Sequence, residues 1–315
     1  MNLASIDLGT NSFRLLIAEI EQNNIKFLYK KSIVSGLGKG FNNADKTLSA
    51  HSISNALKVL AEFSLILDQY KPDNIRAVAT SIVRESTNSD KFIRPANKII
   101  ATNIDIISGV YEAQLTTVGV LNSVRTVKGA KLIVDIGGGS TEFSLADNND
   151  KIISLCSINL GVVKAAEMFD LRNVISSSIK LGIIDYISSI LDDNTTLKDI
   201  CLQNISQIIV TSGTPTTLAA IDLGLKKYDR KRENGHILYE RNILKMFNNL
   251  SVLPSVERLD IRGVSEGRED LIIPGTLIIL EILRRFNKNS IIVSDGGLLE
   301  GLIYHQAKEL CNNYM

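Results

Sequence analysis

The sequence is short of net charge, of cysteine and of long apolar runs, and each shortage excludes a class of protein. Its 315 residues include 35 lysines and arginines against 34 aspartates and glutamates, so no overall field favours nucleic acid or a membrane surface. Any anion site must therefore be local. The three cysteines share no metal-ligand spacing, which argues against a disulfide framework and against zinc. The most apolar run, 271–283, contains proline, glycine and glutamate and is too short to cross a bilayer.

The amino terminus lacks the basic segment and the apolar stretch of a signal peptide. We therefore expect a cytoplasmic protein that binds neither nucleic acid nor a membrane. The sequence leaves a homodimer open. Apolar residues at 44% and charged residues at 22% are typical of a globular protein with sizeable cores, and the length suits about two domains.

Strand-like and helix-like segments alternate along the chain, which predicts an α/β protein. Runs rich in apolar and β-branched residues predict strands, and apolar residues at helical spacing predict helices. The predicted strands are 3–8, 13–20, the start of 24–38, 74–80, 105–109, 131–138, 141–147, 151–161 and 207–213, and the predicted helices include 49–70, about 88–100 and 112–124.

One pattern occurs twice at the end of a strand. The stretches 6–9 and 134–137 read Ile-Asp-Leu-Gly and Val-Asp-Ile-Gly, and a serine, Ser12 or Ser140, follows each after two further residues. The copies are 135 − 7 = 128 residues apart, which is the size of one domain. We interpret them as marks of a duplicated α/β unit whose two strand ends would face one cleft.

The turns after these strand ends consist of small hydrogen-bonding residues. The turn 137–141, Gly-Gly-Gly-Ser-Thr, leaves backbone amides unshielded, and glycine reaches the φ values that curl amides into an anion-binding nest. A tight hairpin would also explain the glycines, but the similar turn at 9–12, Gly-Thr-Asn-Ser, favours the phosphate interpretation. Asp7 and Asp135 would then serve a phosphate-bound Mg²⁺, which prefers oxygen ligands, although Asp7 could instead cap its own turn.

Seven segments occur in an order that resembles one known family. The chain is similar to the exopolyphosphatase and guanosine pentaphosphate phosphohydrolase (Ppx/GppA) family, in its short two-domain form, within the actin, Hsp70 and sugar-kinase superfold. The similarity runs from residue 3 to about residue 304. It depends on the segments SIDLGTNSFRLLIAEI, AVATSIVRESTN, IISGVYEAQLTTVGVL, LIVDIGGGSTEF, TSGTPTTLAAI, GVSEGREDLIIPG and SDGGLLEGLIY.

The resemblance implies two actin-like (ribonuclease H-like) α/β domains with the active site in a cleft between them. Domain I would cover 1–118 plus about 301–315, and domain II would cover 119–300. The implied activity is Mg²⁺-dependent release of the terminal phosphate of inorganic polyphosphate or of guanosine pentaphosphate, a nucleotide of the stringent response. The alternatives are a regulator that binds guanosine tetra- or pentaphosphate with little or no catalysis, and an ATPase or kinase of the same superfold.

The resemblance also assigns roles to residues. Glu112 matches the family's catalytic glutamate and would orient and deprotonate the attacking water, although a carboxylate in a first helical turn also suits the helix dipole. Arg84 and Glu142 are the other implied catalytic residues: Arg84 would clamp phosphate oxygens, and Glu142 would bind the metal or the water, although both could be ordinary surface residues. The implied phosphate-binding residues are Gly9, Thr10, Asn11, Ser12, Arg14, Gly137, Gly138, Gly139, Ser140 and Thr141, and the implied metal ligands are Asp7, Asp135 and Glu142.

Two segments of the second domain suggest docking points for a nucleotide or for the rest of a polyanion. The segment 211–221 repeats the strand, glycine turn and helix pattern, and the run 226–232 has five positive charges in seven residues. Such runs are usually solvated faces, but a long polyanion needs contacts beyond the reacting phosphate. The candidate docking residues are Gly213, Thr214, Lys226, Lys227, Arg230 and Lys231 of these segments, and Arg268, which matches a further family segment.

Four residues depart from the family pattern. Tyr111 precedes the catalytic glutamate where a second acid is common, and Gln114 replaces a frequent arginine. Leu299 replaces the usual arginine of the carboxy-terminal motif, and Pro215 stands where a small residue is common. None of these removes a proposed catalytic group, but the lost arginines weaken any inference about substrate preference.

Overall fold

The structure, a computed structural model, describes residues 1–21, 24–41, 45–226 and 228–313, with the side chains of 311–313 excepted. The contacts within the chain divide it into two compact units. The first unit comprises Met1–Gly119 and Leu298–Met315, and the second comprises Val120–Gly297. Each has its own sheet and its own apolar core, so the predicted α/β fold class is confirmed.

The first unit starts with three antiparallel strands and continues with alternating helices and strands. Its sheet is five-stranded, and its first strand is buried on both faces, as a nearly continuous apolar run predicts. The elements are β1 (Asn2–Leu8), β2 (Ser12–Glu21), β3 (Asn24–Val34), α1 (Ala50–Tyr70), β4 (Asn74–Ala79), α2 (Ser81–Glu85), α3 (Asp90–Ile100), β5 (Ile104–Ile106) and α4 (Gly109–Leu121). The sheet order is β3-β2-β1-β4-β5, with β1, β4 and β5 parallel.

Serine residues fix the starts of two helices in this unit. The Ser49 side chain accepts a hydrogen bond from the amide of Ser52 at 3.0 Å and so caps α1. The Ser108 hydroxyl accepts from the amide of Tyr111 at 3.2 Å, and its carbonyl accepts from the amide of Glu112 at 2.9 Å. Helix α4 therefore begins at residue 109, earlier than predicted, and Glu112 lies in its first turn.

The parallel strands of the first unit end level with one another. Leu8 pairs with Ala79, and Ala79 pairs with Ile106, so β1, β4 and β5 reach the same edge of the sheet. The chain leaves this edge through the turn 9–12, through α2 and through α4. Segments at the carboxyl ends of parallel strands are where open α/β sheets build their sites.

The second unit repeats this design with additions. Its elements are β6 (Ala130–Ile136), β7 (Thr141–Ala146), β8 (Ile152–Ile158), α5 (Val162–Met168), α6 (Ser177–Asp193), α7 (Thr195–Cys201), β9 (Ile205–Thr211), α8 (Gly213–Asp222), α9 (Arg230–Glu233), β10 (Ile237–Tyr239), α10 (Glu240–Ser251), α11 (Ser255–Arg258), α12 (Ile272–Arg285) and β11 (Ser290–Ser294). The chain then returns to the first unit as α13 (Leu298–Asn313).

The strand order of the second sheet shows the duplication directly. It is β10-β11-β9-β6-β7-β8, so β8-β7-β6-β9-β11 repeats the order of the first sheet and β10 is an added edge strand. Asp135 of β6 pairs with Thr211 of β9, which pairs with Ser294 of β11, and these three parallel strands again end at one edge.

The most apolar segment of the sequence is a core element of the second unit. It lies in α12, whose residues pack against the sheet and against neighbouring helices. Across the described ranges, no helix is both long enough and apolar enough to cross a membrane.

Leu299, which stands where the family usually has an arginine, packs in an apolar cluster. Leu299 is 2% exposed and lies in a cluster with Leu3, Leu16 and Ile303 of the first unit. Its carbonyl accepts a hydrogen bond from the Ser5 hydroxyl at 3.0 Å. The position where the family usually has an arginine therefore stabilises the contact between α13 and the first sheet.

A fully buried arginine links three segments of the second unit. Arg258 donates to the carbonyl of Leu171 at 2.7 Å, of Asn173 at 3.0 Å and of Leu250 at 3.1 Å, and lies 3.2 Å from Asp270. Burial lowers the pKa of this guanidinium, and the Asp270 carboxylate opposes that shift.

We predict that Arg258→Met lowers the free energy of unfolding by about 3–5 kcal/mol, because it leaves several buried carbonyls without a donor. Urea unfolding measures the change. The control is Arg172→Met in the same unit, since the Arg172 side chain is 80% exposed and its loss is expected to cost less than about 0.5 kcal/mol. Equal losses in the two variants would contradict the linking role of Arg258.

Candidate active site

In the turn after β1, the carbonyls of Thr10 and Asn11 are occupied and the amides of these two residues are available. The carbonyl of Thr10 accepts from the amide of Gly38 at 2.8 Å, and that of Asn11 accepts from the amides of Ser35 and Gly36 at 2.9 Å each. Within the described parts of the chain, the amides of Thr10 and Asn11 donate to no acceptor. Free amides on successive residues are the donors that bind anionic oxygens in other proteins.

The turn after β6 is arranged in the same way. The carbonyls of Gly137 and Gly138 accept from the first amides of α5, those of Val162 and Val163, at 3.1 and 2.9 Å. The amides of Gly138 and Gly139 have no acceptor among the residues that the structure describes. Both turns are therefore held by their oxygen atoms, and both keep backbone donors unused.

The glycines that open the two turns are required for close approach. The amide of Gly9 donates to the carbonyl of Ser12 at 3.2 Å, and that of Gly137 donates to the carbonyl of Ser140 at 2.9 Å. A Cβ atom on either glycine would lie 2.9 Å from that serine oxygen. Neither glycine has a positive φ, so the expectation that unusual φ values form the nest was wrong, and steric crowding explains the glycines instead.

Asp7 and Arg14 form an ion pair across the first strand pair. They are direct partners in the ladder between β1 and β2, and Arg14 Nε lies 2.7 Å from Asp7 Oδ2, with Nη2 also in contact. Asp7 is 1% exposed, and its other oxygen, Oδ1, has no hydrogen-bond partner within the described ranges. The charge of this aspartate is thus compensated, while one buried oxygen remains available to a ligand.

The equivalent positions of the second unit carry two acids. Asp135 faces Glu142 in the ladder between β6 and β7, and each is 128 residues after its counterpart, Asp7 or Arg14. The pair is buried, with Asp135 5% and Glu142 2% exposed, and Glu142 Oε1 accepts from the Ser157 hydroxyl at 2.7 Å. Directly opposed side chains have Cβ atoms about 5 Å apart. This half of the duplicated arrangement therefore favours a cation.

The acidic residues present suit Mg²⁺, which needs few protein ligands, better than a metal ion whose ligands all come from the protein. No group of three or more His, Cys, Asp or Glu side chains with metal-binding geometry occurs among the described residues. Mg²⁺ is usually held by one or two carboxylates together with water and substrate phosphates. The Asp135–Glu142 pair supplies such a set.

Glu112 lies beside an arginine at the carboxyl edge of the first sheet. It is 8% exposed, and its Oε2 lies 3.6 Å from Arg84 Nη1. The same Arg84 nitrogen donates to the carbonyl of Ile107 at 2.7 Å, which fixes the guanidinium between the end of β5 and the first turn of α4. The two predicted catalytic residues of this unit are thus brought together.

Two predicted ligands have other roles in the structure. The Thr141 hydroxyl donates to the carbonyl of Leu160 at 2.5 Å and is fully buried, so it stabilises the turn and has no free hydrogen for phosphate. Thr214 is 5% exposed and packs against Gly275, where a Cβ would lie 2.3 Å from its hydroxyl oxygen. Thr214 therefore does not provide a docking surface.

The other docking candidates lie in different surroundings. The Arg268 guanidinium packs directly against Gly213, where a Cβ would be 1.4 Å from Nη1. These two docking candidates therefore lie at one place. Arg230 pairs with Asp295, with Nε 3.1 Å from Oδ2. Lys226 and Lys231 are exposed, and Lys227 lies outside the described residues.

Asp295 is a candidate that the sequence interpretation missed. It follows β11 directly and precedes two glycines, so it stands at a strand end like Asp135. The motif Ser-Asp-Gly-Gly after an apolar run was the available signal.

The repeated sheet order and the two similar turns define a duplicated α/β protein. Residues 16–310 match the model of the Ppx/GppA phosphatase family. The chain belongs to this family, and the resemblance seen in the sequence is confirmed.

Three similar proteins illustrate the relationship. The chain is 37% identical over 316 residues to the bifunctional 3-dehydroquinate synthase/phosphatase of Fusobacterium nucleatum, a match that covers 95% of this chain and 46% of that protein. It is 29% identical to the guanosine-5'-triphosphate,3'-diphosphate pyrophosphatase of Pseudoalteromonas atlantica, covering 98% of this chain and 59% of that protein. The chain thus spans about half the length of these curated relatives. The crystal structure of an exopolyphosphatase from Cytophaga hutchinsonii has a TM-score of 0.90 at 28% identity, over 98% of both chains.

We predict that Gly161→Ala displaces the turn 137–140. A Cβ on Gly161 would lie 2.1 Å from the carbonyl oxygen of Gly138, although its φ of −129° suits alanine. The free energy of unfolding in urea should fall by about 2–3 kcal/mol. The control is Gly182→Ala in α6, whose Cβ would meet only the Phe169 ring, at 3.0 Å. A Gly161 variant as stable as the Gly182 variant would contradict this packing.

Proposed function

We propose that this chain is a Mg²⁺-dependent phosphohydrolase that releases the terminal phosphate of inorganic polyphosphate or of guanosine pentaphosphate. The observation that carries the proposal is the buried Glu112 beside Arg84 at the edge of the sheet where the turn 9–12 offers free amides. Family membership and the names of the relatives support phosphoric anhydrides as the substrate class.

The terminal phosphate would be bound by backbone amides. Each unit offers two such donors in its own turn, Thr10 and Asn11 in the first unit and Gly138 and Gly139 in the second. Amide donors fixed before the substrate arrives stabilise charge on phosphoryl oxygens without reorganisation.

Asp135 and Glu142 would hold the metal ion. Bound Mg²⁺ neutralises the charge that develops on phosphate oxygens. Asp7 is the weaker candidate of the three predicted ligands, because Arg14 already compensates its charge, and only Oδ1 remains for a metal-bound water.

Glu112 would orient the attacking water and accept its proton. A glutamate has an ordinary pKa of about 4.3 and is a weak base, so most of the acceleration should come from positioning and from charge stabilisation. Arg84 would keep the carboxylate in place, since its guanidinium is fixed by the Ile107 carbonyl. It also offers further N–H donors to a phosphate oxygen.

One comparison separates the candidate activities. Phosphate release from long-chain polyphosphate, guanosine pentaphosphate and ATP is measured side by side with Mg²⁺. The proposal expects release from at least one of the first two at a rate well above that from ATP. Faster ATP turnover would favour an ATPase or kinase, and tight nucleotide binding without release would favour a regulator.

We predict that Glu112→Gln lowers kcat by about 10²–10⁴-fold and leaves substrate affinity nearly unchanged, because the amide keeps the shape and loses the base. Steady-state kinetics and equilibrium binding measure the two effects. The control is Glu62→Gln, since the Glu62 side chain is 56% exposed and pairs with Lys31 on the surface. Near-normal turnover of the Glu112 variant would show that another group activates the water.

We predict that Asp135→Asn and Glu142→Gln weaken Mg²⁺ binding more than Asp7→Asn does. The reason is that the first two are buried acids that face each other, whereas Asp7 faces Arg14. Titration calorimetry with Mg²⁺ and a non-hydrolysed phosphate analogue measures the affinity. Asp185→Asn, at an exposed position of the second unit, serves as the control. An Asp7 effect larger than that of Asp135 would place the metal in the first unit.

A further inference from the structure

Two residues of the basic run, Tyr228 and Arg230, bind one buried carboxylate. The Asp295 side chain is 7% exposed, and its two oxygens bind these two side chains. The Tyr228 hydroxyl donates to Oδ1 at 2.5 Å, and Arg230 Nε lies 3.1 Å from Oδ2. The basic run is therefore not simply a solvated face, since one of its arginines and its tyrosine are fixed.

Tyr228 presents an exposed ring on a fixed hydroxyl. The residue is 58% exposed, which is high for a tyrosine whose hydroxyl is bonded to a buried acid. Burial of the hydroxyl end and the neighbouring Asp295 carboxylate raise the pKa of Tyr228, so the phenol keeps the proton that it donates. An aromatic ring that is held before binding loses little conformational entropy when a planar group stacks on it.

Asp295, which binds the Tyr228 hydroxyl, is itself held by hydrogen bonds to other parts of the second unit. The Asp295 amide donates to Asn234 Oδ1 at 2.9 Å, and Asn234 Nδ2 donates to the carbonyl of Ser123 at 2.6 Å. The Thr211 hydroxyl at the end of β9 donates to the carbonyl of Gly296 at 2.7 Å. The backbone of Asp295 and that of the following Gly296 are thus bonded to fixed parts of the second unit.

The position of this ring relative to the phosphate turn suits a nucleotide. Asp135, Thr211 and Ser294 lie in one row across β6, β9 and β11, so the Asp295 strand end is two strand spacings, about 10 Å, from the strand that leads into 137–140. Between them lies Gly213 with the Arg268 guanidinium on it. Along the edge, a phosphate-type turn is followed by a cation and then by an aromatic ring.

We infer that Tyr228, held by Asp295 and flanked by Arg230, is a stacking surface for the nucleobase of a guanosine polyphosphate. The inference rests on the proposed function and adds the residue that distinguishes its two substrate classes. Inorganic polyphosphate has no base and would use only the phosphate-binding groups. Stacking accepts any planar base, so Tyr228 would contribute affinity for nucleotides over polyphosphate.

The test compares two substrates in three variants. Tyr228→Ala should lower kcat/KM for guanosine pentaphosphate roughly tenfold or more, mainly through KM, and change kcat/KM for long-chain polyphosphate less than about twofold. Tyr228→Phe keeps the ring and loses the hydroxyl, so its loss should be intermediate. The control is Tyr239→Ala, since Tyr239 is 44% exposed and pairs with Ser290. Ser290 begins β11, whereas Asp295 follows its other end.

Each outcome supports or overturns the inference separately from the proposed function. Equal losses for both substrates, or no loss for either in Tyr228→Ala, would overturn the stacking role. If the wild type hydrolyses neither substrate, the proposed function fails, and calorimetry with guanosine tetraphosphate then decides the inference. A tenfold weaker affinity in Tyr228→Ala than in Tyr239→Ala supports the surface, and equal affinities contradict it.

Discussion

The candidate site depends on hydrogen bonds that occupy the carbonyl oxygens of two turns. In the second unit the first amides of α5 bind the oxygens of Gly137 and Gly138, and in the first unit the segment 35–38 binds those of Thr10 and Asn11. A turn whose oxygens are occupied elsewhere can offer its amides to an anion without also presenting lone pairs to it. Gly161 packs directly against the backbone of 138–139, so the start of α5 and the turn 137–140 are in close contact.

Duplication followed by divergence explains the charges around these turns. The same ladder position holds Arg14 opposite Asp7 in the first unit and Glu142 opposite Asp135 in the second. One unit therefore places an arginine opposite its aspartate, whereas the other places a second acid there. The proposal assigns water activation to Glu112, which lies beside Arg84, and metal binding to Asp135 and Glu142.

The sequence predicted the α/β class, the family and the two turns because these depend on local patterns. The strand-end aspartates, the glycine turns and the serine caps act within a few residues of each other. It could not predict why Gly9 and Gly137 are glycines, since that depends on where the serine oxygens lie. It also missed contacts between distant segments, such as Arg268 on Gly213, Thr141 on Leu160 and Tyr228 on Asp295. Long-range contacts of this kind are set by packing of the whole unit.

The amide turns can be observed directly by NMR. A ¹⁵N-labelled sample is titrated with pyrophosphate and Mg²⁺, and the amide resonances of Thr10, Asn11, Gly138 and Gly139 are followed. The account predicts saturable shifts at these four residues, with Gly36 and Gly182 nearly unchanged, because the amide of Gly36 already donates to Asn11 and Gly182 lies within α6. Saturable binding that leaves all four resonances in place would contradict the central claim.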